Sequence, residues 1–327
     1  MARDRRAGRE DEDGGGEEDG LRPWVRDAVT AVVIVVVFFG VLFAYTREWP
    51  PLVVVESESM QHSDSESFVG VIDTGDLVLV QSAPSRSSVV TWIQGRVTGY
   101  STYGDYGDVI VFRRPGFPSA DPVIHRAILY VVPNGTGAYD VPDLRDLPSS
   151  EWEGRGRGWE PRQTPYALRE LTIRGMGFRR DLVITFNLTN LAAQPASFGQ
   201  AGYVTMGDHN AYGSLGRGYD PSWVVPQGNL LGVARGELPW FGLLKLTFAP
   251  TGDCCSSWGD PRAPRNSWDS LLVAIILLVT LPFAIEVVGW AWSRRQASKE
   301  PGAERAVEIG SEEPAEGPHM EGPKGPT

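Results

Sequence analysis

Two serines lie at the end of a valine-rich run, in a stretch that reads VVVESESM from Val53 to Met60. A serine hydroxyl is a weak nucleophile and needs a neighbouring base to take its proton. Ser57 and Ser59 are two positions apart, so an extended chain would place both hydroxyls on one face. The stretch therefore offers Ser59 as a nucleophile with a second hydroxyl beside it. The alternative is that Ser and Glu here simply end a strand.

The base that would serve such a serine is either a histidine or a lysine kept neutral by burial. No lysine precedes Lys245, which lies in FGLLKLTF close to an apolar run, so a histidine is expected. His62 lies in the polar run QHSDSES, which indicates a solvated loop, and His209 directly follows an aspartate. His125 lies in VIHRAIL on a predicted strand that would hold its ring in one place, although a structural core histidine is the alternative.

A histidine base needs a carboxylate to fix its tautomer and to stabilise the imidazolium that forms. Asp208, in TMGDHN at a predicted strand-to-turn junction, and Asp220, in GYDPSW, are the candidates. Aspartate is also common in turns for purely local reasons, because its side chain hydrogen-bonds the nearby backbone. The sequence therefore leaves both carboxylates open.

Two apolar runs predict membrane helices. Residues 28–45 are long enough to cross a bilayer and are followed by Arg47-Glu48-Trp49-Pro50-Pro51 in place of a cleavage site, which favours an uncleaved anchor. Residues 271–292 form a second run that contains Pro282 and Glu286, and a buried core helix is the alternative there. Arginine and lysine in the flanks predict cytoplasmic ends and an outer region between the runs.

The region between the runs, residues 46–260, reads as an all-β domain because short apolar segments alternate with turn residues. A segment of about residues 133–179 is rich in Gly, Pro, Arg and Trp and has little periodicity, so it is predicted to be an insertion or a long loop. The predicted strands are Leu52 to Val55, Asp76 to Val80, Asp108 to Phe112, Val123 to Val132, Leu182 to Leu188, Tyr203 to Met206 and Leu230 to Ala234.

The composition excludes several classes of function. Residues 1–27 and 293–327 are low-complexity tails that lack the apolar residues for a core and are predicted to be disordered and cytoplasmic. The formal net charge of −11 argues against a nucleic-acid partner, and an acidic, lysine-poor chain is typical of salt-loving archaea. The adjacent Cys254 and Cys255 support neither a disulfide framework nor a zinc site.

Five blocks in order behind an N-terminal anchor resemble the type I signal peptidases, over about residues 28–240. They are Ser57-Glu58-Ser59-Met60, Gly75-Asp76-Leu77-Val78, Gly107-Asp108-Val109-Ile110-Val111-Phe112, Ile124-His125-Arg126 and Gly207-Asp208-His209-Asn210. Histidine in place of lysine is typical of the archaeal and endoplasmic-reticulum branch. The chain departs from the family in having His209 at the third place of the last block and a long spacing before it.

The resemblance implies a mainly β, membrane-anchored catalytic domain with a transmembrane helix on each side. It implies that Ser59 is the nucleophile, His125 the general base, and Asp208 and Asp220 the orienting carboxylates. Ser57 would help to hold the oxyanion, and Met60 would present apolar surface to the substrate or lipid.

The expected activity is a serine endopeptidase that removes signal peptides from secreted preproteins at the outer face of the cytoplasmic membrane. It would need no metal or organic cofactor. Its partners would be preprotein signal peptides, membrane lipid and the protein-translocation machinery. The alternatives are a serine hydrolase acting on other substrates and a non-catalytic, membrane-anchored binding domain.

Overall fold

A computed structural model describes residues 18–135, 137–195, 197–213, 218–250 and 254–297. Of the tails predicted to be disordered, residues 18–27 and 293–297 are described and are helical, so the prediction is wrong there; the rest of both tails lies outside the described residues. The chain divides into two units, residues 1–271 and residues 272–327. The helices are α1 (Glu18–Thr46), α2 (Trp92–Thr98), α3 (Leu188–Ala193), α4 (Gly242–Phe248) and α5 (Arg265–Ala297).

The first unit is mainly β, as predicted, and its sheets are antiparallel. The strands are β1 (Leu52–Val54), β2 (Leu77–Gln81), β3 (Ser101–Thr102), β4 (Asp105–Tyr106), β5 (Val109–Phe112), β6 (Val123–Pro133), β7 (Tyr139–Asp140), β8 (Trp152–Arg155), β9 (Pro161–Arg162), β10 (Glu170–Met176), β11 (Leu182–Asn187), β12 (Gly202–Met206) and β13 (Leu230–Leu238).

The main sheet has the order β1-β2-β13-β5-β6-β12, and β7 pairs with the end of β6. Strands β5 and β12 are buried along their whole length because they lie inside this sheet or against the core, and both are rich in β-branched or aromatic residues. Strand β1 pairs only with β2 and so forms one edge of the sheet.

The pairing of β6 with β5 determines the positions of two residues of the candidate site, His125 and Arg126. Ile110 of β5 lies opposite His125, and Val109 lies opposite Arg126. Because successive side chains of a strand point to opposite faces, His125 and Arg126 leave β6 on different sides. Arg126 is fully buried, whereas His125 retains 6% of its exposure.

A second, four-stranded sheet has the order β11-β10-β8-β9. Most of it lies in the segment of about residues 133–179 that the sequence predicted to be an insertion or a long loop. The segment forms strands, because Leu171 and Ile173 of β10 alternate into a core that also contains Met176, Trp152 and Phe186. The description as a loop was therefore incomplete.

The two long helices carry apolar side chains that are exposed over most of their length, in α1 from about Trp24 onwards and in α5 from Leu272. Both are long and apolar enough to cross a membrane. The structural helices extend beyond the predicted spans of 28–45 and 271–292. In the second span, exposure argues against the alternative of a buried core helix.

The sulfur atoms of the adjacent Cys254 and Cys255 are bonded to each other, a local link that joins no distant segments of the chain. Both are buried, and the carboxylate of Asp260 lies within 4.8 Å of the sulfurs. Asp260 accepts hydrogen bonds from Arg262 and from the backbone N–H of Ser256, and the interaction with Arg262 lowers the pKa of Asp260 to about 2. These contacts hold the Asp260 carboxylate in place.

Candidate functional site

Ser59 lies in a short 3-10 helix, Glu58–Met60, that follows strand β1. Ser57 is the residue before this helix and has an extended backbone, with φ −136° and ψ 159°. The hydroxyl oxygens of Ser57 and Ser59 are 3.3 Å apart, within hydrogen-bonding distance. The sequence predicted that an extended chain would place them on one face, and a helical turn brings them together instead.

The loop after β12 holds this turn in place. The backbone N–H of His209 donates to the carbonyl oxygen of Ser59 at 3.0 Å, and Nδ1 of the His209 ring lies 3.0 Å from the carbonyl oxygen of Glu58. His209 is therefore a structural support for the nucleophile turn.

Glycine is required at position 207 because the base and the nucleophile turn both approach its backbone. A Cβ atom there would lie 2.5 Å from the carbonyl oxygen of Ser59 and 3.0 Å from Nε2 of His125. The carbonyl oxygen of Ser59 and Nε2 of His125 are therefore no farther apart than the sum of their distances from this Cβ position. The imidazole of His125 therefore lies beside the turn that carries Ser59.

His125 is paired with Asp220: Nδ1 of the ring lies 2.7 Å from Oδ2 of the carboxylate. A carboxylate only accepts hydrogen bonds, so Nδ1 is the donor in this pair, and in the neutral imidazole Nε2 would then be the acceptor. Nε2 is the ring nitrogen that faces Gly207 and the serine turn. This is the tautomer that a general base needs.

Thr205 of β12 fixes the position of Asp220. Its hydroxyl donates to the same oxygen, Oδ2, that binds His125, and its carbonyl oxygen accepts the backbone N–H of Asp220 at 2.9 Å. The side chain and the backbone of Asp220 are thus both held by one strand residue. Sequence reasoning did not identify Thr205, because a threonine within a strand normally signals only β propensity.

A cleft of about 620 Å³ contains Ser57, Ser59, His125 and Asp220. One wall is formed by β1, and the start of β6 forms the wall opposite. The full lining is Pro50, Leu52, Val53, Val54, Val55, Glu56, Ser57, Ser59, Arg114, Asp121, Pro122, Val123, Ile124, His125, Asp220, Trp223 and Lys245. A concave, largely apolar cleft with a few convergent polar groups is typical of a binding or active site.

Asp208, the other predicted orienting carboxylate, hydrogen-bonds Arg126 and His62, whereas His125 pairs with Asp220. Nε and Nη2 of Arg126 donate to its two oxygens at 2.9 and 2.6 Å, and Nε2 of His62 lies 3.0 Å from Oδ2. Burial raises the pKa of Asp208, but the charge and hydrogen bonds of Arg126 outweigh burial and leave it below its usual value. Asp208 is therefore an ionised structural partner of Arg126.

Arg126 hydrogen-bonds the backbone of the segment before β5 as well as Asp208. Its guanidinium group also donates to backbone carbonyl oxygens of the loop before β5, namely those of Thr102, Tyr103, Asp105, Tyr106 and Gly107. Burial lowers the pKa of Arg126, and the neighbouring Asp208 carboxylate outweighs this and raises it. The His62 ring stacks on Phe178 with ring centroids 3.9 Å apart, which connects Asp208 to the second sheet.

Two other predicted features have different positions from those expected. Met60 is 1% exposed and packs in a core cluster with Val55, Ile72 and Val78. It therefore presents no surface to a substrate or to lipid, because the 3-10 turn directs its side chain inward. Lys245 lies at the edge of the cleft and pairs with Glu56, with Nζ 2.8 Å from the carboxylate oxygen.

Comparisons with models of protein families, with curated proteins and with solved structures found no match. The cleft brings together a hydroxyl with a second hydroxyl 3.3 Å away, an imidazole beside the turn that carries them, and a carboxylate paired with the imidazole. Such a constellation suits nucleophilic attack on an acyl group.

Proposed function

We propose that this chain is a membrane-bound serine endopeptidase that resembles the type I signal peptidases of the archaeal and endoplasmic-reticulum branch. Its activity is to remove N-terminal signal peptides from secreted preproteins. The observation that carries the proposal is the hydrogen bond between His125 and Asp220, which orients the imidazole beside the Ser59 turn in a cleft.

The reaction follows from the positions of these groups. Ser59 Oγ attacks the carbonyl carbon of the scissile bond while Nε2 of His125 takes its proton. Asp220 stabilises the imidazolium that forms, and the Ser57 hydroxyl donates to the oxyanion. His125 then protonates the leaving amine, and a water molecule hydrolyses the acyl-enzyme by the reverse sequence. Hydrogen bonds between a nucleophile and its base commonly tighten only when substrate is bound.

The cleft supports an extended peptide as substrate. The backbone N–H of Val55 donates to Asp76, and the carbonyl oxygen of Pro51 accepts from Val80, so these residues face β2. By the alternation of an antiparallel ladder, the peptide groups of Leu52 and Val54 face away from β2 and into the cleft. A substrate strand adding to this free edge would be held by main-chain hydrogen bonds.

The proximity of the site to an apolar helix supports a membrane substrate. Only the segment from Arg47 to Ser59 separates the nucleophile from the end of α1. A protease held at the outer surface would meet a peptide bond just beyond a translocated apolar segment. In the proposed topology both tails are cytoplasmic and residues 46–270 lie outside, in the cytoplasmic membrane of the cell.

The proposal is tested by cleavage of a preprotein by membranes that contain the wild-type chain, Ser59→Ala or His125→Ala. Nucleophile and base act as a unit, so each substitution should lower the cleavage rate by about 10⁴-fold or more. The amount of membrane-inserted protein should not change. Thr247→Ala, which alters a hydroxyl on helix α4, is a matched control that should cleave at the wild-type rate.

Two outcomes would contradict the proposal in different ways. Wild-type membranes that leave every preprotein intact would favour a non-catalytic binding domain. Cleavage of ester or peptide substrates without any requirement for a signal sequence would favour a serine hydrolase of another class.

A further inference from the structure

Two hydrogen-bond donors on the wall of the cleft have no acceptor. Nε of Arg114 and the indole Nε1 of Trp223 are buried, and no acceptor atom of the described residues binds either of them. Both side chains line the cleft that contains Ser59 and His125. A buried donor without an acceptor is unfavourable, and native structures rarely keep one without a reason.

Arg114 lies just beyond the ladder that contains the base. Phe112 and Val123 form the last pair of β5 and β6, and Arg114 and Asp121 belong to the connection between these strands, where both line the cleft. Asp121 precedes His125 by four residues, which span roughly 13 Å of extended chain. A peptide lying extended in the cleft would therefore reach Arg114 about four residues from its scissile bond.

Trp223 belongs to the segment that supplies the catalytic carboxylate. It follows Asp220 by three residues, in GYDPSW, and packs against a cluster that includes Phe112 and Val225. The packing holds the ring while its N–H stays unpaired. Guanidinium and indole N–H groups only donate, so the group that satisfies them must carry an acceptor oxygen.

We propose that Arg114 and Trp223 form a substrate subsite that binds an acceptor oxygen of the peptide about four residues from the scissile bond. The oxygen belongs either to a main-chain carbonyl group or to the side chain of an acidic or amide residue. Asp121 in the same lining would accept an N–H group of the peptide beside it. This inference rests on the proposed function, because it assumes a peptide substrate in the cleft.

The experiment measures peptide binding to the full-length chain in lipid nanodiscs, with Ser59→Ala present to prevent turnover. The probe is a fluorescent peptide spanning a signal-peptide cleavage site, and the readout is its Kd from anisotropy. Arg114→Lys keeps the charge but removes Nε, and Trp223→Phe keeps an aromatic ring but removes the N–H. Each should raise Kd by about 3- to 30-fold, as expected for the loss of one hydrogen bond.

The matched controls are Arg113→Lys and Trp159→Phe. Arg113 is the exposed neighbour that donates to the carbonyl oxygen of Pro118, and Trp159 is 51% exposed in the turn between β8 and β9. Both should leave Kd unchanged. A peptide series with Asp, Asn or Ala at the fourth residue on each side of the cut identifies the oxygen: equal losses across the series indicate a main-chain carbonyl group.

A spectrum of ¹⁵N-arginine-labelled protein provides a readout that does not depend on the stability of the variants. The Arg114 Nε–H signal, assigned by its loss in Arg114→Lys, should move downfield when peptide is added. An unmoved signal, or an unchanged Kd in both variants, would overturn the subsite. Because binding is measured without turnover, the two proposals can fail separately. If the chain with Ser59 cleaves preproteins but the Arg114 and Trp223 variants leave Kd unchanged, only the subsite is wrong. If the variants weaken peptide binding but the chain with Ser59 cleaves no preprotein, only the proposed activity is wrong.

Discussion

Asp208 and Asp220 are chemically identical side chains with different surroundings. Asp220 keeps 14% of its side-chain exposure and meets His125 in the cleft, whereas Asp208 is buried against Arg126. The first is placed to stabilise a charge that forms during a reaction. Asp208 neutralises the permanent charge of Arg126. Substitution of Asp208 and of Asp220 should therefore have different effects.

Asp220→Asn is expected to lower the cleavage rate by about 10⁴-fold, because an amide would hold the wrong tautomer of His125. Its thermal stability should stay close to that of the wild type. Initial rates on a preprotein and a melting curve are the measurements. Activity within tenfold of the wild type would show that His125 does not depend on this carboxylate.

Asp208→Asn is expected to act mainly on stability, because it leaves the fully buried Arg126 without its counter-charge. Breaking a buried ion pair from one side costs about 3–5 kcal/mol. Urea unfolding of the full chain in detergent micelles checks this, with Asp181→Asn at an exposed position as the control. An unfolding free energy equal to that of the wild type would contradict the structural role assigned to Asp208.

Two further buried carboxylates, Asp73 and Asp76, predict how stability depends on pH. Burial raises the pKa of Asp73 to about 7 and that of Asp76 to about 8. The folded chain therefore holds protons that the unfolded chain releases at about pH 4. Stability should fall as pH rises from about 4 to about 8. The pKa of Asp208 is lowered in the folded chain, so its contribution to stability has the opposite pH dependence. That contribution is lost only as pH falls below the pKa of Asp208 in the unfolded chain.

Asp73→Asn should make this pH dependence shallower, because the amide has no proton to lose. Its Tm is expected to exceed that of the wild type by a few °C at pH 8 and to match it near pH 4, as a gain of about 1 kcal/mol would produce. Melting curves at these two pH values are the measurement. A parallel pH dependence in both proteins would show that Asp73 ionises normally in the folded state.

In the proposed function, strand β1 is the element that would bind the substrate. Its free peptide groups recur at every second residue, so a bound peptide should also be read at alternate positions. Replacing Ala by a bulky residue at the first or third position before the cut should block cleavage, and the same change at the second position should have little effect. Equal processing of all three variants, measured on one preprotein, would contradict binding along β1.

The sequence predicted most of the strands of the main sheet because their apolar residues alternate or run together, as in β6 and β12. Of the second sheet it predicted only β11, as Leu182 to Leu188. Strands β9 and β8 have two and four residues, too few for a period to emerge, and the seven residues of β10 were assigned to the predicted insertion or loop. The choice between Asp208 and Asp220 also needed tertiary structure. After Met206 the chain turns back, so that Val225 pairs with Tyr203 and Asp220 returns beside Thr205.

At the scale of the whole molecule, the two apolar helices predict which parts of the chain are accessible from outside the cell. Protease added to intact cells should reach residues 46–270 and spare tags placed at either end. Immunoblots of the two tags are the measurement, with permeabilised cells as the control in which both tags are lost. Digestion of the C-terminal tag in intact cells would mean that α5 does not cross the membrane.

The place of β13 in the sheet has a consequence for how the protein is made. β13 lies between β2, which continues from the Ser59 segment, and β5, which pairs with the His125 strand. Leu77 of β2 lies opposite Leu238 of β13, so these partners are far apart along the chain. During translation the nucleophile and the base therefore belong to separate halves until the ribosome has passed residue 238. We expect every shorter nascent chain to lack the assembled site, so that the proposed proteolysis would begin only when synthesis of the sheet is complete.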